Sequence, residues 1–395
     1  MKVLIINQFP LIGGGSGFYT KNIAKSLRDL GHSVCIMIPE NTTNIEEIEG
    51  IKIKPVFFRY KENIQNQLPF NFGCFTTHPR SNTTFNDYTN SQLEMYIKTF
   101  ENAIENTIKE FRPDVIHSGH IWIISNIATK FNIPTIITSH GTDIIGYNAW
   151  EKFHKYAKEA VEKCAKIITI SDSNNENVLK TFPNAKDKIV QIRNGYDQSV
   201  FHKDKYNKKE VLKEIGIEDN YKNIILFSGR LVQVKGVDIL LKAAKIYEKE
   251  GILTIIAGEG ILHNELEQLA RKLNLKNVKF IGSKDQVTLN KLYNIADASI
   301  LSSRYEGFPL VVIESLACGT PVVCTDIDSM KTFMNDKFGI MVEKENSEAL
   351  AKGIIDILDK KEKYNSDEIS EYIKNNYSQN LLINKVIETY ESCLK

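Results

Sequence analysis

Short apolar runs alternate along this chain with longer stretches in which apolar positions recur at helical spacing. Residues 2–7, 33–38, 114–117, 135–139, 166–170 and 188–192 are rich in Val, Ile and Thr and read as strands. A glycine cluster, Gly13-Gly14-Gly15-Ser16-Gly17, follows the first run and leads into an amphipathic helix ending near Gly31. Ser91-Gln92-Leu93-Glu94 reads as a capping box opening a helix to about Phe111. This alternation predicts a doubly wound parallel sheet. Turn chemistry at Arg193-Asn194-Gly195-Tyr196-Asp197 and a polar stretch over 197–208 interrupt it. A second series then follows, with strands at 223–227, 253–257, 278–281, 298–301, 322–324 and 340–342. The expected organisation is an N-terminal Rossmann-like domain over 1–196 and a second over 197–377. A terminal helix over 378–395 must then find burial for Leu381, Ile383, Val386 and Ile387. Residues 55–90 break the pattern, and an irregular stretch that long is either functional or disordered. Its aromatic residues argue against disorder.

Composition narrows the class. A chain of 395 residues exceeds what one core organises, which agrees with two domains. The formal net charge is +1, so no overall field selects nucleic acid. Six cysteines stand without a C-x-x-C pair, mostly in apolar patterns, as in a reducing compartment. No apolar run approaches the ~20 residues of a membrane span, and the first strand leads directly into the glycine loop rather than to a cleavage site. The expectation is a cytoplasmic protein. Lys152, Lys155, Lys158, Lys163 and Lys166 could touch the inner membrane face peripherally, but a solvated helix face explains them more simply.

Candidate chemistry gathers where strands end. After the run at 298–301 comes Ser303-Arg304-Tyr305-Glu306-Gly307-Phe308-Pro309-Leu310, then a helical pattern closed by Gly319. Glu306 falls on the loop at the strand's carboxyl end, where open α/β sheets bind ligands. Glu314 lies within the helix among apolar neighbours, a costly place for a carboxylate. Backbone N–H groups of Phe308 to Val311 would be the unpaired donors at that helix start and would face an anion. Ser228-Gly229-Arg230-Leu231-Val232-Gln233-Val234-Lys235-Gly236 places two cations on the loop after the second series' first strand. It is not a P-loop, because Lys235 is followed by Gly236 and not by Ser or Thr. In the first series His140-Gly141-Thr142-Asp143 occupies the corresponding strand end. His117 and His120 form an H-x-x-H without a third ligand, which disfavours zinc. The dinucleotide fingerprint fails at Gly13, at Gly15 and at Gly258-Glu259-Gly260, where His263 stands for the third glycine.

Taken together, these residues resemble a retaining glycosyltransferase of the GT-B fold, similar to glycosyltransferase family 4. The carriers are Glu306 and Glu314 as the family's E-x7-E, Gly229-Arg230 with Lys235-Gly236, the glycine loop, His140-Gly141 and Asn194-Gly195. The resemblance implies an α/β architecture of two facing Rossmann-like domains, with the last helix crossing back to the first. It implies that Arg230 and Lys235 bind a donor diphosphate, that Glu306 holds donor-sugar hydroxyls and that Glu314 binds the ribose. Gly14 and Gly15 would admit phosphate or sugar, and His140 would sit near the sugar. Asn194, Gly229, Gly258, Gly307, Phe308, Pro309 and Leu310 would complete the substrate contacts. The reaction expected is front-face transfer from a nucleoside-diphosphate sugar, a UDP-sugar foremost, to a hydroxyl acceptor on a glycan, lipid or small metabolite. No metal or other cofactor is implied. The competing readings are a non-catalytic nucleotide-sugar sensor and, against the failed fingerprints, an NAD-dependent dehydrogenase.

Overall fold

The computed structural model describes residues 1–59, 68–76, 78–193, 195–306, 308–331 and 333–394. The chain divides into one unit of residues 1–194 with 379–395 and a second of residues 195–378.

In the first unit seven strands are β1 (Lys2–Ile6), β2 (Ser33–Glu40), β3 (Lys52–Phe57), β4 (Val115–Gly119), β5 (Thr135–Ser139), β6 (Lys166–Thr169) and β7 (Ile189–Gln191). They form one parallel sheet in the order β3-β2-β1-β4-β5-β6-β7. The central strands are buried on both faces, which is why they read as near-continuous apolar runs. Strand order reverses between β1 and β4, so the crevice expected of an open α/β sheet lies beyond their carboxyl ends. The second unit repeats the plan with β8 (Asn223–Ser228), β9 (Ile252–Ala257), β10 (Val278–Gly282), β11 (Ala298–Leu301), β12 (Val322–Thr325) and β13 (Gly339–Val342). Their order is β10-β9-β8-β11-β12-β13, again parallel, with its switch point between β8 and β11.

The two faces of the first sheet pack differently. One carries an aromatic core including Phe58, Phe72, Phe85, Tyr96, Phe100 and Trp122. The other is aliphatic and is closed by the terminal helix (Gln379–Leu394), which buries Leu382, Ile383, Val386 and Tyr390 beside Val3, Ile5 and Ile36. Each such side chain contributes about 1.5–3 kcal/mol of burial. The buried stripe is therefore rotated from the expected one: Leu381 is exposed and Ile387 only partly covered.

Three further expectations are corrected. β3 was not anticipated because Pro55 interrupts its run, yet Pro55 pairs with Ile38 on an edge strand, where a missing N–H is tolerated. The long helix runs over Asn90–Phe111 and is capped by Thr89, not Ser91; Thr89 Oγ1 accepts from Gln92 N–H at 3.2 Å and Gln92 Oε1 from Thr89 N–H at 2.9 Å. The stretch at 55–90 is largely built into the unit: Leu68, Phe70, Phe72, Cys74, Phe75 and Phe85 are core residues. Residues 60–67 and 77 lie outside the described residues. Among the described residues no helix is long and apolar enough to cross a membrane.

Candidate functional site

In the second unit the loops after β8 and β11 flank the switch point and are bound to each other. Gly236 adopts φ +61°, and a Cβ there would lie 2.0 Å from the Ser302 carbonyl oxygen, so only glycine permits this approach. Arg304 N–H donates to the Val234 carbonyl at 2.7 Å, and Ser302 Oγ donates to the Lys235 carbonyl at 3.0 Å. Thus supported, Lys235 Nζ reaches Glu306 Oε1 at 2.5 Å, and Ser303 Oγ donates to the same oxygen at 2.6 Å. Both side chains of the pair are largely withdrawn from solvent. An ammonium has three donors, so Lys235 keeps two for another anion. Arg230 is exposed and has no ion-pair partner among the described residues. Behind these loops Gly258 approaches Gly229 so closely that a Cβ would meet the Gly229 carbonyl oxygen at 1.8 Å.

Pro309 caps the helix Leu310–Ala317 without a side-chain bond. Leu310 N–H donates to the Phe308 carbonyl at 3.0 Å, so that group is already engaged rather than free for an anion as expected. Phe308 packs on the unit's core. Glu314 is buried on this helix, with no hydrogen-bond partner among the described residues, and burial pushes its carboxyl up to about 8. Asn194 and Gly307 lie outside the described residues.

In the first unit the corresponding edge is built mainly of glycines, hydroxyl groups and histidines, with an ion pair between Arg80 and Glu40 at the end of β2. Gly14 caps the helix Gly15–Asp29, and a Cβ on Gly15 would meet nothing within 4 Å. His140 follows β5; its Nε2 has no partner among the described residues, and its ring stands edge-on to Tyr19 at 5.1 Å and tilted to His120 at 4.7 Å between centroids. Burial, reinforced by His117, lowers the His140 imidazole to about 3, so it is neutral at ordinary pH. Asp143 accepts from Ile121 N–H at 2.9 Å and Ser139 Oγ at 3.1 Å, which fixes the turn after His140. The two histidines of the H-x-x-H diverge, His117 towards Thr138 and Tyr390 and His120 towards Phe9, Phe75 and His140. Among the described residues no group of three His, Cys, Asp or Glu side chains could hold a metal ion.

Several residues of these edges escaped the motif reading. Arg304 spends all five guanidinium N–H groups: Nε and one Nη2 hydrogen on Glu345, one hydrogen of each Nη on Asp238, and one Nη1 hydrogen on the Gln233 carbonyl, at 2.5–3.2 Å. Its partners are scattered over more than a hundred positions, so no local spacing could have revealed it. Asn7 and Gln8 are buried at the carboxyl end of β1, as is His120 of the H-x-x-H at the end of β4, each with a side-chain polar atom that has no partner among the described residues. A polar residue directly after an apolar strand was the available signal.

Comparison with known proteins accounts for both units. The family model Glycosyltransferase Family 4 matches residues 13–200, and Glycosyl transferases group 1 matches residues 208–376. An uncharacterized glycosyltransferase of Methanocaldococcus jannaschii is 28% identical over 88% of this chain and 86% of its own. The glycogen synthase of Mycobacterium tuberculosis is 26% identical over 91% of this chain and 86% of its own. Among solved structures, a glycosyltransferase of Rickettsia africae superposes with a TM-score of 0.78 at 23% identity, covering 100% of this chain and 98% of that one. Anabaena HepE in complex with UDP and glucose gives 0.77 at 18%, covering 99% and 100%. The catalytic domain of Arabidopsis thaliana starch synthase IV, bound to ADP and acarbose, gives 0.70 at 13%, covering 100% and 99%.

Proposed function

We propose that this chain, a glycosyltransferase of the GT-B fold and of family-4-like type, moves a sugar from a nucleoside-diphosphate sugar to a hydroxyl acceptor with retention at the anomeric carbon. The observation that carries the reading is the Lys235–Glu306 pair at the carboxyl edge of the second sheet, with Arg230, which has no ion-pair partner among the described residues, on the same loop as Lys235. The diphosphate would take the two remaining Lys235 donors and the Arg230 fork. Glu306, left with lone pairs beyond its bonds to Lys235 and Ser303, would accept from donor-sugar hydroxyls. Glu314 would accept from the ribose; burial holds its carboxyl up at about 8, so accepting hydroxyl donors there would be coupled to proton loss.

In the reaction the bond between the anomeric carbon and the β-phosphate oxygen breaks. The acceptor oxygen bonds to that carbon on the same face, and its proton passes to the departing phosphate oxygen. Charge developing on the diphosphate is stabilised by Arg230 and Lys235, which supplies the electrostatic work from the chain's own cations. UDP is favoured as the carrier by the likeness to HepE, while the likeness to starch synthase makes ADP the rival. A thermal-shift panel of UDP-, ADP- and GDP-sugars tests this, because a ligand of the folded state raises its apparent stability. A shift with one nucleotide series, release of that nucleotide, and retained configuration by NMR are expected. Saturable binding without turnover for any acceptor would mark a sensor instead, and inversion would remove the front-face scheme.

A further inference from the structure

His117, half of the H-x-x-H pair, lies against the aliphatic face of the first sheet, where polar groups need a reason. Its Nδ1 is 2.5 Å from the hydroxyl of Tyr390 on the terminal helix, and its Nε2 is 2.7 Å from Thr138 Oγ1. Thr138 Oγ1 is 3.4 Å from the Tyr19 hydroxyl, and the Tyr19 ring meets His140 edge-on. An unbroken polar train therefore runs from the terminal helix through β4 and β5 to the helix of the glycine loop. Apolar side chains of the same size would fill such a layer at least as stably. What a fully satisfied buried network adds is a unique orientation of its members.

The train also has a direction. Burial lowers the His117 imidazole to about 4, so the ring is neutral and only one of its nitrogens donates. The Tyr390 hydroxyl is buried with no other hydrogen-bond partner among the described residues. If Nδ1–H donated to it, the tyrosine hydrogen would be stranded in the apolar layer. The satisfied arrangement has Tyr390 donating to Nδ1, Nε2–H donating to Thr138 Oγ1, and Thr138 donating to the Tyr19 oxygen. Tyr19, only partly buried, then keeps its own hydrogen.

We infer that Tyr390, His117 and Thr138 are positioning residues that fix Tyr19 against His140 and leave the Tyr19 hydroxyl to donate to a substrate oxygen at this edge. The terminal helix thereby acts on the site from behind the sheet. The inference rests on the proposed transferase reading, in which His140 and its neighbours meet substrate.

The test compares Thr138→Val, which keeps the shape and removes the hydroxyl, with Thr138→Ser, which keeps the hydroxyl and loses a methyl. Tyr390→Phe serves as an independent break in the train. Two readouts are taken: ring-nitrogen NMR signals of His117 and His140, and steady-state kinetics with the nucleotide sugar that is turned over. Wild type is expected to show His117 protonated on Nε2. Thr138→Val and Tyr390→Phe should move the His140 ring signals and lower kcat about tenfold, with the donor KM changed less than twofold. Thr138→Ser should resemble wild type in both. His140 signals and kcat unmoved by Thr138→Val, or an equal loss in Thr138→Ser, would overturn the inference and leave a packing role. Should wild type turn over no nucleotide sugar, the proposed reaction falls, while the ring signals still decide whether the train holds His140.

Discussion

Around their switch points the carboxyl edges of the two units treat polar groups differently, although each keeps an ion pair, Arg80 with Glu40 in the first and Lys235 with Glu306 in the second. At the second unit's edge charges are kept and paired: Lys235 with Glu306, and Arg304 with Asp238 and Glu345. At the first unit's edge His117, His120 and His140 are stripped of charge by burial. The same chemistry that makes an isolated buried charge expensive thus yields a cationic loop with donors to spare in one unit. In the other it yields neutral donors and acceptors among aromatic rings. The first arrangement suits a diphosphate, whose charge grows as it leaves; the second suits hydroxyl groups, which need orientation rather than neutralisation.

The sharpest way to break this contrast is to remove cations from the charged edge. Arg230→Ala and Lys235→Ala should each lower kcat/KM about 100- to 1000-fold and abolish the thermal shift with the nucleotide sugar. Lys235→Ala also strands Glu306, so its loss should exceed that of Arg230→Ala. An undiminished shift in both variants would detach these loops from the diphosphate. A smaller effect is expected from Arg304, which touches no substrate in this reading. Arg304→Ala should cost about 2–3 kcal/mol in denaturant unfolding, below the figure for fully buried pairs because Glu345 is half exposed. Arg304→Lys should recover less than half of it, since an ammonium cannot satisfy five directed bonds.

How much of this was legible beforehand followed from how local each cause is. Alternating strands and helices, and the loops bearing Arg230, Lys235, Glu306 and His140, are written in short spacings, and the observed strands agree with those spacings to within a residue or two. Features set by distant partners were not legible. β3 was hidden by Pro55, harmless only because the strand lies at an edge. The terminal helix buries Ile383 and Val386 as expected but adds Leu382 and Tyr390 in place of Leu381 and Ile387, and Tyr390 meets His117 273 positions away in sequence. The stretch after residue 68 looked irregular because it has aromatic packing without periodicity, and its order comes from the core it completes. Arg304 carried no signal in its own loop because its partners Asp238 and Glu345 lie far from it in sequence.

The contrast between the edges also predicts opposite pH responses. The histidines of the first unit have folded pKa values below their unfolded one. The stability they permit is therefore present above about pH 6.5 and lost as pH falls towards their folded values, about 4 for His117 and about 3 for His140. Glu314 has the reverse sign: its folded value of about 8 lies above the unfolded one, so stability declines as pH rises between the two. Glu314→Gln should gain about 4 kcal/mol over wild type at pH 8 and almost nothing at pH 4.5. Calorimetric melts at the two pH values check this. Equal gains at both would show that Glu314 is already ionised in the folded chain.

The smallest predicted effect separates two lysines on the first unit's outer face. Lys152 Nζ donates to the carbonyls of Asn86 and Tyr88 at 2.6 and 3.2 Å, pinning the end of the aromatic stretch to the turn at 151–153. Lys155 lies over the Tyr156 ring at 4.7 Å, an exposed contact of little energetic consequence. Lys152→Gln should therefore lower the Tm by about 2 °C and Lys155→Gln by less than about 1 °C. Both remove one positive charge, so binding to anionic vesicles should fall equally in the two variants if this face meets a membrane, and not at all if it is merely solvated. A vesicle response that followed the melting order would mean that the fold of the 86–88 turn, rather than charge, governs what this face contacts.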